Sequence, residues 1–169
     1  MSGKDGNVAE RGRQDRLIKE NVHDPYMTRS KPVEPTVCPE CRVVFTSGRW
    51  QWLADIPEGV NRELCPACQR IHDRVPAGIL TLRGDFLAQH RDEIMNLVRN
   101  KVDAEKAQHP MKRLMDIEDE EDKEGGVVIT FTDVHLPRGV GEAIARAYEG
   151  DLDIHYTEEA GIVRVYWTR

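Results

Sequence analysis

The chain has 169 residues, 39% hydrophobic and 32% charged, which suits one ordinary domain or two very small ones and excludes a large enzyme core. Three Phe, three Trp and four Tyr are too few to line a large aromatic pocket. A formal charge of -6 excludes coating nucleic acid through bulk charge, so any contact with phosphates has to be local.

No apolar stretch approaches the roughly 20 residues that span a bilayer. The opening MSGKDGNVAERGRQDR has no apolar core for a signal peptide, so the chain is expected in the cytoplasm, without a membrane partner. In that reducing compartment, closely paired cysteines are more often metal ligands or redox centres than disulfides.

Residues 1–36 are expected to form a flexible N-terminal arm. They are polar, mix both charge signs, contain Pro32 and Pro35, and show no sustained apolar period, so they bury too little to offset the entropy of ordering. Within them, RQDRLIKENVHDPY from Arg13 spaces Leu17, Ile18 and Val22 for one helical face, a pattern that could order on a partner.

Residues 37–77 form the cysteine segment. CPEC and CPAC place Cys38, Cys41, Cys65 and Cys68 in two C-x-x-C pairs with 23 residues between them. Two residues between thiols let both sulfurs of a tight turn converge on one ion, and two such knuckles complete the four-sulfur tetrahedron that structural zinc prefers. The spacing predicts a zinc ribbon holding one Zn2+, with two or three short strands between the knuckles. Four thiolates close the shell and leave no open position for a catalytic metal. A redox pair would want one C-x-x-C at a helix N-terminus in a thioredoxin-like unit, and the flanking sequence resembles no such unit. An iron–sulfur cluster has the same ligand count.

Between the knuckles lies FTSGRWQW, and after the second comes QRIHDR, with Arg70, His72 and Arg74. Trp50 and Trp52 either form the small core of the ribbon, or Arg49 and one tryptophan make a stacking and phosphate-binding tip.

Residues 78–169 predict a small antiparallel-rich α/β sandwich, which makes the whole chain α+β. GILTLRG at Gly78 to Gly84 is a strand, and DFLAQHRDEIMNLVRNKVDAEKA is a long amphipathic helix with Asp85 as its N-cap. His109-Pro110 interrupts it, and MKRLMDIEDEED is expected to start a second helical piece with Met111, Leu114, Met115 and Ile117 inward. The acidic run from Asp116 to Glu124 is then a solvated helix end, or an interaction tail. VVITFTD is a strand, LPRGVGEAIARAYEG a helix closed by Gly150, DLDIHYT and AGIVRVYW strands joined by a turn at Glu158 to Gly161. The order is β-α-α-β-α-β-β, one sheet with helices on one face. In the last two strands Leu152, Ile154 and Tyr156 oppose Asp151, Asp153 and His155, and Ile162, Arg164 and Tyr166 oppose Val163, Val165 and Trp167, leaving one sheet face open and polar.

Chemistry beyond the metal has little to stand on. Arg138, Gly139 and Gly141 sit where a strand gives way to a helix N-terminus, a natural anion site, although two glycines are equally a permissive loop. His23, His72, His90, His109, His135 and His155 are scattered, and no Ser or Cys stands in a nucleophile motif, so no catalysis is expected.

CPEC, CPAC, LCPACQR and the closing TDVHLPRGVGEAIARAYEGDLDIHYTEEAGIVRVYW resemble the ribosomal export adaptor family of nonsense-mediated-decay protein three, with its archaeal and small bacterial relatives. The resemblance runs from Val37 to Trp167 and implies a non-catalytic zinc protein that binds the large ribosomal subunit or its RNA, with the four cysteines as ligands. That family usually carries further zinc knuckles, whereas this chain has four cysteines in all. The expected partner is therefore the ribosome or ribosomal RNA, contacted near Arg49, Trp50, Arg70, Arg74 and Arg138. The alternative is a protein–protein adaptor in which the zinc module and the acidic run grip a protein partner.

Overall fold

A computed structural model describes residues 25–26, 31–122, 125–157 and 161–169. The segment from Arg13 with Leu17, Ile18 and Val22 lies outside the described residues, as does most of the predicted turn at 158–161.

The described residues build a mixed α/β structure with three helices and two mixed sheets. The first sheet is small: β1 (Thr36–Val37), β2 (Val44–Thr46), β3 (Arg49–Gln51) and β4 (Asn61–Arg62), in the order β3-β2-β1-β4. β1 begins at Thr36, so the first strand starts one residue inside the expected arm. Helix α1 (Pro66–Asp73) follows at once. With so few strand residues, the core of this unit is Cys38, Val43, Cys65, Ala67 and Cys68, with Trp50, Leu64 and Met111 packed against it.

The second sheet has five strands: β5 (Gly78–Arg83), β6 (Leu114–Asp119), β7 (Val127–Phe131), β8 (Asp151–Thr157) and β9 (Ile162–Thr168). Their order is β6-β7-β5-β9-β8, and only β5 with β9 runs parallel. Helices α2 (Asp85–Gln108) and α3 (Leu136–Tyr148) supply Leu87, Ile94, Val98, Val140 and Ile144 to a single core with Leu80, Leu82, Ile129, Phe131, Val165 and Trp167 of the sheet. Alternation does this directly: Leu80 pairs with Ile129 on one side and Val165 on the other, so all three point the same way from the pleat. Trp167 is the largest fully buried side chain, and its indole N–H donates to the Glu149 carbonyl 2.7 Å away, just past the end of α3. The opposite face carries Ile79, Thr81, Val128, Thr130, Arg164 and Tyr166.

Two expectations need correction. The segment after His109-Pro110 is not helical but forms strand β6, the edge of the sheet, so the order of this region is β-α-β-β-α-β-β and the acidic run begins on an edge strand rather than on a helix. The misleading cue is a β-bulge. Leu114 faces Phe131 and Ile117 faces Ile129, so residues three apart on β6 oppose residues two apart on β7, and the extra residue mimics helical spacing. Carboxylates along an edge strand also discourage pairing with other sheets. The second correction is the cap of α2: Gly84 holds that position at φ 109°, and Asp85 is the first helical residue.

Candidate metal centre

The two knuckles use different local devices to turn their cysteines inward. After β1 the chain reverses through Cys38-Pro-Glu-Cys41: Arg42 N–H donates to the Cys38 carbonyl at 3.0 Å and Cys38 N–H to the Val43 carbonyl at 2.9 Å. Arg42 occupies the left-handed region at φ 70°, which closes so tight a turn. The second pair opens helix α1. Cys65 is the N-cap, its sulfur accepting from the Cys68 N–H at 3.4 Å, and Pro66 takes the first helical position. That helix went unpredicted, and it places CPAC at a helix N-terminus, where the peptide dipoles favour a thiolate.

All four sulfurs lie within 4.8 Å of one another, a spacing that fits a single metal site. Cys38, Cys65 and Cys68 are buried and Cys41 is half-buried, so three of the four thiols are shielded from solvent. Across the knuckles, His72 Nε2 meets Glu40 Oε1 at 2.7 Å.

The most consequential neighbour is one the sequence did not reveal. Arg113, from the loop before β6, is only 6% exposed and directs its guanidinium at the sulfurs: Nη2 donates to Cys41 at 3.0 Å and reaches Cys65 at 3.7 Å, while Nη1 donates to Cys68 at 3.3 Å. Its Nε donates to the Pro110 carbonyl at 2.9 Å. The backbone behind it is fixed by Thr132, whose Oγ1 accepts from Arg113 N–H at 2.8 Å and donates to the Met111 carbonyl at 2.6 Å. Electrostatics follow this geometry. The hydrogen bond from Cys65, the Val43 backbone amide and Arg113 hold the Cys41 thiol well below its ordinary value. Cys65, as the donor to Cys41 and a buried group, is pushed up, and burial pushes Cys68 up to about 11. Burial works against the charge of Arg113, but the hydrogen bond to Cys41 and the charge of the sulfurs outweigh it and raise its pKa.

The five basic or aromatic contact candidates do not form one surface. Arg49 and Trp50 share a cleft of about 650 Å³ with Trp52 and, from the other unit, His109, Lys112 and Asp133. Trp50 turns partly inward, edge-on to Phe45 at 5.3 Å and against the cysteine core, so it serves the small core and the cleft wall together. Trp52 is 37% exposed and bridges the units: its indole N–H donates to the Lys106 carbonyl at 2.9 Å, and the Arg113 guanidinium lies 5.6 Å from its ring centre. Arg70 points away from solvent, 6% exposed, with Nη1 on the Val75 carbonyl at 3.1 Å and the Tyr26 ring 4.5 Å away. Arg74 lines a separate groove with Ile71, Pro76 and Met115. Arg138 stands on α3, paired with Glu142 at 2.8 Å. Beside it, Gly139 faces open space, whereas Gly141 lies directly over Leu152 and Val165 of the sheet, so its role is close helix–sheet packing.

No helix among the described residues is long and apolar enough to cross a membrane. Comparison with protein-family models, with curated proteins and with solved structures finds no match, so the likeness to the ribosomal export adaptors rests on the residues quoted above.

Proposed function

We propose that Cys38, Cys41, Cys65 and Cys68 hold one zinc ion, and that the chain is a non-catalytic zinc-ribbon protein that binds ribosomal RNA or the ribosome through the cleft beside that ion. Sulfurs about 2.3 Å from a central zinc lie about 3.8 Å apart in a tetrahedron. The Cys41–Cys65 separation of 3.7 Å matches that edge. Zinc in such a shell supplies no chemistry of its own and acts as a folding nucleus that stiffens the β2–β3 tip.

The observation that carries the RNA reading is the cleft. A mobile tip would lose in ordering what a stacked base gains, about 1–3 kcal/mol per base. Here Arg49 and Trp50 sit on a three-residue strand tied to the metal knuckle, and Trp52, His109 and Lys112, the last paired with Glu105 at 3.3 Å, line the cleft with them beside the carboxylate of Asp133. The net charge of -6 does not oppose this, because residues 116–124 hold seven carboxylates and one lysine and so account for all of it. Elsewhere the chain is electrically balanced. That acidity begins on edge strand β6, in the other unit.

The test is sucrose-gradient sedimentation of lysate at low and moderate salt, comparing the unchanged chain with Arg49→Glu. Co-migration with the large subunit that weakens as salt rises and is lost in Arg49→Glu supports phosphate-mediated binding. Migration only at the top of the gradient at both salts sinks it. One observation favours a second reading: carboxylates of Asp116, Glu118 and Asp119 stand on an edge strand, where a basic protein partner would meet them. RNase treatment separates the two, since a protein partner stays bound and an RNA contact is released.

A further inference from the structure

The cleft proposed above is built from both units. Arg49, Trp50 and Trp52 come from the cysteine module, whereas His109, Pro110, Met111, Lys112 and Asp133 come from the α/β unit. Its shape therefore depends on how firmly the units are clasped. Among the contacts that span them are Trp52 on the Lys106 carbonyl, Met111 against the cysteine core, Ala77 N–H on the Phe131 carbonyl, and Arg113 on the sulfurs.

Arg113 is the unusual one. A guanidinium only 6% exposed is a costly group to bury unless its donors are all matched by well-placed acceptors, and three of its acceptors are metal-ligand candidates. Four thiolates around a divalent ion carry a net charge of about -2 and are held rigidly, so a loaded site offers this arginine both charge and fixed acceptors. Without an ion, the sulfurs are held in that array only by the knuckle backbones, the Cys41–Cys65 contact and Arg113 itself, and the mutual repulsion of thiolates works against it. The arginine then has good reason to turn to water, and it takes the cleft wall with it, because Pro110, Met111 and Lys112 precede it directly in the chain.

We infer that Arg113 is a metal-dependent clasp: metal loading of the four cysteines holds the 109–113 loop in place and so forms the cleft, and metal loss opens it while leaving the five-stranded sheet intact. The inference deepens the RNA reading by naming the regulation of that cleft, and its test reads the clasp without RNA.

Amide hydrogen exchange reports it directly. In the clasped state the amides of His109, Lys112 and Arg113 are hydrogen-bonded to Glu105, His109 and Thr132 respectively. Chelating the metal from the unchanged chain should strip protection from residues 106–113 while β5 and β9 keep theirs. Zinc-loaded Arg113→Met should show the same local loss with its zinc still bound, and a metal Kd raised about 10- to 100-fold. Arg113→Lys, which keeps the charge without the fork, should fall between them. Cobalt substitution adds a signature that a mere packing role would not move: losing the N–H···S bonds raises the energy of the sulfur electrons, so the sulfur-to-cobalt band of Arg113→Met shifts to lower energy. Unchanged protection of 106–113 on chelation overturns the proposal, as does equal loss across the whole α/β unit, or an Arg113→Met chain as protected as the original. Should Arg113→Met not fold, the chelation experiment decides alone. A clasp that behaves as described while the gradients show no ribosome binding removes the RNA reading and keeps the clasp.

Discussion

Replacing Thr132 with valine deletes one hydroxyl and changes almost no volume, so it isolates the hydrogen bonds that hold the Arg113 loop. Thr132 is 7% exposed, at the end of β7. Its hydroxyl accepts from the Arg113 amide and donates to the Met111 carbonyl, at 2.8 and 2.6 Å. The isosteric change leaves a buried donor unsatisfied at about 1–3 kcal/mol and removes one net hydrogen bond of about 1 kcal/mol, giving about 2–4 kcal/mol in all. The backbone bond from Thr132 N–H to the Arg113 carbonyl, 3.0 Å, survives and keeps the chain path. Thr132→Ser retains the hydroxyl and loses one buried methyl, a cost of about 1 kcal/mol. Urea unfolding of the zinc-loaded chain, with chelator competition for metal affinity, measures both. The valine variant should lose at least twice the stability of the serine variant and bind metal more weakly. Equal losses, or a valine variant within 0.5 kcal/mol of the original, would refute the claim that this hydroxyl organises the loop, since surface changes of no consequence fall within about that range.

Cys65→Ser should abolish stoichiometric metal binding and melt the cysteine module, because Cys65 is both a ligand candidate and the N-cap of α1; a variant with full metal and an unchanged melting curve contradicts this. Gly139→Ala and Gly141→Ala, two residues apart on α3, should have opposite signs. A Cβ at Gly139 meets nothing within 4 Å, so the helix gains up to about 1 kcal/mol, whereas at Gly141 it lies 2.9 Å from Leu152 Cδ1 and 3.1 Å from Val165 Cγ1, and about 1–3 kcal/mol of overpacking exceeds that gain. Denaturant midpoints that move together would contradict the packing role. Glu120 accepts two hydrogen bonds from Arg83, at 2.8 and 2.7 Å, which hold its carboxyl below the ordinary 4.5. A lowered folded pKa means stability present at neutral pH and lost as pH falls through and below that value, so the original chain should lose more stability between about pH 5 and pH 3 than Glu120→Gln does. Parallel stability curves would show that the pair contributes nothing.

What the sequence made legible follows from how local each signal was. The cysteine pairs were readable because two-residue spacing forces convergence, and strands β8 and β9 because strict alternation ends in side chains such as Trp167, fully buried, opposite exposed Arg164. Strand β6 was not, because its bulge places Leu114 and Ile117 three apart and its Met, Leu and Glu residues favour helices, while the pairing with β7 that decides the matter is non-local. Helix α1 escaped notice since its apolar side is mostly cysteine and alanine. Arg70, expected at the contact surface, and Arg113 are charged residues in polar company along the chain, yet both are 6% exposed. The break at His109-Pro110 marks the end of α2, but by itself it points equally to a second helix, whereas a loop and strand β6 follow. The function of Arg113 depends on sulfurs 45 to 72 positions away, which no window along the chain contains.

The proposed centre has four sulfurs and nothing else holding a single zinc ion against Arg113. X-ray absorption at the zinc edge, with metal counted per chain on protein purified without added metal, tests it most directly. One zinc per chain in a shell of four sulfurs at about 2.3 Å is the expected result. A shell containing nitrogen or oxygen ligands, or iron in place of zinc, would contradict it.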